Sequence, residues 1–134
     1  MLDSGAFLAM ERRDRSFAAF LEAARRISAT IVIPATVIAE IWRQPPRHQS
    51  ATMLRPPRAI APLEGSSARA VGLLLGKAVA TQIADAHVCS VAIDVRPSII
   101  VTSDPEDISS LLEAADVSYS AGERREVDVI IRAL

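Results

Sequence analysis

The sequence predicts a three-layer α/β/α domain with a central, mainly parallel sheet. Short β-branched runs alternate with segments whose apolar residues recur at helical spacing, and strands separated by helices pair in parallel. A further observation concerns chemistry. Four carboxylates, Asp3, Glu40, Asp85 and Asp104, sit at the ends of apolar runs, each at the edge of a different expected core element. A chain of 134 residues makes one domain, large enough to bury about two-thirds of its unfolded surface. The expectation is therefore a single unit over 1–134.

The elements follow in order. Met1-Leu2 reads as the stub of a strand, and Ser4-Gly5 opens a short helix through about Met10. Asp14 or Ser16 can cap a second helix, in which Phe17, Phe20, Leu21 and Ala24 share a face. Thr30-Ile31-Val32-Ile33 suits a buried parallel strand. Pro34 takes the first-turn position of a helix running to about Trp42, which Pro45-Pro46 stops. A short helix over 50–54 leads to Pro56-Pro57, and Ala59-Ile60-Ala61 reads as a weak strand. Ala68, Val71, Leu74, Leu75, Ala78 and Val79 form the stripe of a helix starting near Ser66. Thr81 can cap the next, from Gln82 to about Ile93. Ser98 to Thr102 is the clearest strand, and Pro105 opens a helix ending near Ala115. Val117 to Tyr119 reads as an edge strand. Val127 to Leu134 reads as a strand or a closing helix, within a C-terminal extension over 121–134 to which no role is assigned.

Composition narrows the function classes. Half the residues are hydrophobic, but only Phe7, Phe17, Phe20, Trp42 and Tyr119 are aromatic, so the core is aliphatic and alanine-rich. No apolar run reaches the ~18 residues needed to span a bilayer, and the N-terminus lacks a signal-peptide pattern, which points away from membranes. A lone cysteine, Cys89, fits a reducing cytoplasm. Net charge of −1 argues against a bulk nucleic-acid magnet. The charge is nonetheless uneven: residues 1–58 carry nine Arg against five acids (+4), and 59–134 carry six basic side chains against eleven acids (−5). That asymmetry permits a basic face beside an acidic pocket, although solvated helix faces explain any single arginine equally well.

In open α/β sheets, ligands bind beyond the carboxyl ends of the parallel strands. Asp3 and Asp104 each follow an expected strand, while Glu40 and Asp85 lie on helices that could deliver them to the same end. Carboxylates within ~4–6 Å of one another repel by up to ~4 kcal/mol per pair at an effective dielectric of 20. Such a cluster holds together by protonation or by one or two bound cations. An all-oxygen donor set suits Mg²⁺ or Mn²⁺, whereas zinc would want His or Cys.

The residues also match a family. Leu2-Asp3-Ser4-Gly5-Ala6, Val37-Ile38-Ala39-Glu40-Ile41-Trp42-Arg43, Asp85-Ala86-His87-Val88 and Val101-Thr102-Ser103-Asp104-Pro105-Glu106-Asp107 resemble, in order, the signatures of PIN-domain ribonucleases. The similarity is greatest to the VapC toxins of bacterial toxin–antitoxin pairs, and it runs from Leu2 to about Tyr119. The resemblance implies a PIN-like fold, Asp3, Glu40, Asp85 and Asp104 as an acidic quartet binding Mg²⁺ or Mn²⁺, and cleavage of RNA. It also implies a cognate antitoxin that inhibits the site, and a homodimer. Relatives usually have a fuller first strand, and Gln82 stands where they often carry another acid. Products ending in 5′-phosphate and 3′-hydroxyl are expected, since no paired histidines suggest the 2′-hydroxyl route.

Residues around the quartet carry alternatives. Asp107 could bind a second metal or cap the helix after Pro105. Thr102 and Ser103 could orient Asp104 or only bond the strand end. Ser4 reads as the cap of the first helix, with its amide or hydroxyl near a metal-bound water. Arg43, one turn after Glu40, could hold a substrate phosphate or balance the acids. His87 points about 200° away from Asp85 and reads as a packing or surface residue rather than a general base. Cys89 and Trp42 read as packing residues. Two rival classes remain. A haloacid-dehalogenase-type phosphohydrolase needs a second Asp where Gly5 stands. A non-catalytic PIN-like module would use its acidic pocket to dock basic residues of a partner.

Overall fold

Among the described residues every strand pairing is parallel, which forces a helix or a long connection between each strand and the next. The computed structural model describes residues 1–43, 59–117, 119–121 and 129–134. The stop expected at Pro45-Pro46, the helix over 50–54 and the break at Pro56-Pro57 lie outside them. Six helices are described: α1 (Ser4–Glu11), α2 (Arg15–Arg26), α3 (Ala35–Ile41), α4 (Gly65–Ala78), α5 (Ile83–Asp94) and α6 (Pro105–Ala114). The strands are β1 (Val32–Pro34), β2 (Ala59–Ala61), β3 (Ser98–Thr102), β4 (Tyr119–Ala121) and β5 (Val129–Ala133). The chain is thus a mixed α/β protein with short parallel strands.

Two sheets form, one ordered β1-β2 and the other β3-β5-β4. Met1 to Asp3 links them. Leu2 N donates to the Val32 carbonyl at 3.2 Å, Asp3 N to that of Val101 at 3.2 Å, and Val101 N to that of Met1 at 2.9 Å. The expected strand stub is therefore real but only a single bridge long, Leu2 to Val101. Residues 129–133, left open as strand or helix, run as β5 between β3 and β4, with Val129 and Ile131 buried. The edge strand expected at 117–119 lies two residues later, at Tyr119–Ala121.

Local chemistry explains most boundaries. Asp14 caps α2, its Oδ1 accepting from Phe17 N at 2.8 Å and from the Ser16 hydroxyl at 2.7 Å. Pro34 ends β1 and occupies the cap position of α3, where its missing N–H costs nothing. Phe17 and Ala24 face the core from α2, and Phe20 stacks on Phe17 at 6.4 Å between centroids while Arg132 covers its ring at 5.0 Å. Ile33, Val37, Val88, Ile100, Ile108 and Leu112 are fully buried and form the aliphatic centre.

Three expectations fail locally. Thr81 does not cap α5; Gln82 takes that position without a side-chain bond, and the helix begins at Ile83. Ala68 lies exposed, outside the apolar stripe of α4. Val79 leaves the same stripe altogether: it terminates α4 in a left-handed conformation (φ 53°, ψ 38°) and is 91% exposed. A β-branched residue is poorly suited to that region, because Cβ crowds the backbone. Val79→Gly should stabilise the protein by about 0.5–1 kcal/mol, or about 2–4 °C in melting temperature. Thermal melts would check this, and a lower melting temperature would show that the Val79 side chain contributes packing.

Candidate functional site

Asp3 is the most tightly held of the acids. It leaves the strand stub and caps α1, with Oδ1 accepting from Ala6 N at 3.0 Å and Oδ2 from Ser103 N at 3.3 Å. Only 4% of it is exposed. Burial raises its pKa and outweighs the hydrogen bonds from the Thr102 side chain and the amides of Ala6, Ser103 and Gly5, which lower it. The cap is thus Asp3 and not Ser4, which is the first helical residue. The sequence signal for this was an acid three residues before Ala6, at the strand-to-helix junction.

Thr102 couples this acid to the next. Its hydroxyl, fully buried, accepts from Asp104 N at 2.9 Å, which leaves the hydroxyl proton to donate to Asp3. Gly5 sets how closely α1 approaches the β3–α6 turn. A Cβ there would lie 2.6 Å from Ser103 Cβ and 2.9 Å from Ser103 N, so any side chain would displace the backbone that bonds Asp3. Because all pairings are parallel, Asp3 and the turn of Ser103 and Asp104 lie beyond the same sheet end. Ser103 and Asp104 are exposed there.

Asp85 stands in the first turn of α5, partly buried. Its pKa is raised to about 6, first by burial and then by the charges of Glu40, Asp3, Asp107 and Asp104. Five acids, from three helices and two strand ends, therefore meet electrostatically at Asp85. Glu40 reaches it from α3 and is met on its outer side by Arg43, 3.8 Å away and largely exposed. Asp107 lies in the first turn of α6 and is not its cap, since Asp104 holds that position without a side-chain bond. Among the described residues, no three His, Cys, Asp or Glu side chains stand in a ready metal-ligating arrangement.

The remaining candidates separate cleanly. His87 is fully buried on α5, so it cannot meet a substrate. Cys89 is buried too; burial and then the Asp85 charge push its thiol pKa up, so it stays protonated. Trp42 departs from the packing expectation: it follows the last residue of α3, Ile41, which packs on the core, and is itself 55% exposed. One residue escaped the sequence reading, Thr36, whose hydroxyl lies 3.0 Å from His87 Nδ1. Its signal was position, one helical turn before Glu40.

No protein-family model matches the chain. No curated protein matches it significantly. The charges that act on Asp85 are all carboxylates, so the surplus charge around it is negative. Among the described residues no helix is long and apolar enough to cross a membrane.

The raised pKa of Asp85 makes a signed prediction. Its folded value, about 6, exceeds the ordinary value of 3.8, so the neutral acid favours the fold. That stability is complete below pH 4 or so and is lost as pH rises through about 6. In metal-free protein, Asp85→Asn should therefore raise stability at neutral pH by about 1–2 kcal/mol, allowing for solvent screening of a partly buried group. The gain should shrink towards pH 4. A gain independent of pH between 4 and 8 would mean that Asp85 is not strained by its neighbours.

Proposed function

We propose that the protein is a Mg²⁺- or Mn²⁺-dependent endoribonuclease of the PIN type, the toxin of a VapBC-like toxin–antitoxin pair. The observation that carries this reading is the joint action of Glu40, Asp3, Asp107 and Asp104 on Asp85. It is supported by four acidic motifs in family order and by strand ends delivering two of the acids. In this reading the parallel strands and their helices make the three-layer α/β/α architecture of that family.

Asp3, Asp85 and Asp104 would hold the ion, with Glu40 binding a second ion or orienting water. The cation supplies an acidified water and neutralises charge developing on phosphate oxygens. The chain supplies position. Thr102 fixes Asp3 and the amide of Asp104 with one hydroxyl, and the Ser103 amide fixes the other Asp3 oxygen. Arg43, exposed beside Glu40, would take a substrate phosphate, and the exposed Trp42 would offer a face on which a base can stack. A homodimer and a cognate antitoxin complete the proposal.

A second reading uses the same acids: in a non-catalytic PIN-like module the negative charges crowding Asp85 would dock a basic partner segment. Purified protein incubated with total RNA separates the two. The enzyme reading expects cleavage with Mg²⁺ or Mn²⁺, abolition by EDTA, and a loss of at least about 100-fold in Asp85→Ala or Asp3→Ala. Arg43→Ala should weaken RNA binding more than metal binding. Growth arrest on expression should vanish with the same acid substitutions. Absence of metal-dependent cleavage, with retained binding of a basic peptide lost in Asp85→Ala, would establish the docking module instead.

A further inference from the structure

We propose that a partly buried tie between Thr36 and His87 holds the helix carrying Glu40 against the helix carrying Asp85, so that both are positioning residues for the acidic site. The purpose of the tie rests on the functional reading above, but its existence can be tested without metal or RNA.

The geometry is specific. Thr36 lies on α3 one turn before Glu40, and His87 lies on α5 two residues after Asp85. Thr36 Oγ1 and His87 Nδ1 are 3.0 Å apart, and the imidazole is fully buried. Nε2 has no hydrogen-bond partner among the described residues, so the Thr36 contact is the one polar bond found for this ring there. The Thr36 hydroxyl can donate to Nδ1 or accept from it, so the contact holds in either neutral tautomer. Burial lowers the imidazole pKa and keeps the ring neutral.

The site needs such a bond. Glu40 is the foremost charge pushing on Asp85, and α3 packs directly on α5. Like charges on two packed helices drive them apart. The apolar contacts of Val37, Ala86 and Val88 resist separation but not sliding, because hydrophobic attraction has no direction. A hydrogen bond has both a length and an angle. The tie therefore fixes the register at which the two acids face one another, from one turn before Glu40 on the same face of α3.

The test compares melting temperatures of metal-free protein at about pH 8, where ordinary carboxylates are ionised. Asp85→Asn should raise the melting temperature in the wild-type background by relieving repulsion. In Thr36→Val the helices relax, the repulsion is already relieved, and the rise should shrink by about half or more. Thr36→Ser, which keeps the hydroxyl, should restore the full rise. A packing role alone gives the same rise in all three backgrounds and overturns the proposal, as does no rise in the wild type. If Thr36→Val does not fold, His87→Phe gives the same comparison by refilling the volume without the ring nitrogen. Mn²⁺ titration then separates the two claims. Thr36→Val should weaken Mn²⁺ binding by about tenfold and Thr36→Ser should not. Wild-type protein that binds no Mn²⁺ would end the enzyme reading, while the melts would still decide the tie.

Discussion

Asp3 joins the sheet and the site in one residue. Its backbone completes the hydrogen bonds by which Met1–Asp3 links β1 to β3, and its side chain caps α1 and grips the Ser103 amide. The carboxylate is thereby buried almost completely, at a desolvation cost that its hydrogen bonds only partly offset. The positions of Thr102, Ser103 and Asp104 follow from that arrangement, because each is bonded to Asp3 directly or through one hydroxyl. Gly5 is small because this same approach leaves no room for Cβ.

Against that scaffold the protein sets a deliberate conflict. Packing α3, α5 and α6 around the sheet end brings Glu40, Asp85 and Asp107 into the field of Asp3 and Asp104, and Asp85 bears most of the strain. Core burial of Ile33, Val37, Val88, Ile108 and Leu112 holds these helices in place despite the repulsion. Residues strained in this way usually mark sites at which binding or chemistry repays the cost. A divalent cation is the ligand that would relieve it most economically, since it neutralises several carboxylates at once.

Much of the fold was legible because its signals are local. The β-branched run at Ser98–Thr102, the proline starts at Pro34 and Pro105, and the Asp14 cap are each written in a few adjacent residues. Failures came where tertiary context decides. Val79 continues a helical stripe in sequence, yet the chain must turn there. Residues 129–133 read equally as strand or helix until their neighbours β3 and β4 are known. Around the acids, their places beside apolar runs and the strand-to-helix position of Asp3 were legible, but the Ser103 bond to Asp3 and the Thr36–His87 contact were not. Those two join segments 100 and 51 residues apart in sequence.

The central claim is that the acids beyond the strand ends form one cation site. Titration of ¹⁵N-labelled protein with Mn²⁺ tests it most directly, because paramagnetic broadening falls steeply with distance from the ion. The account predicts that the amides of Asp3, Ser103, Asp104, Asp85 and Glu40 broaden together and first, and that Asp85→Asn weakens the effect at all of them. Broadening confined to exposed acids elsewhere, such as Glu22 or Glu113, or no broadening near Asp3 and Asp85, would contradict it.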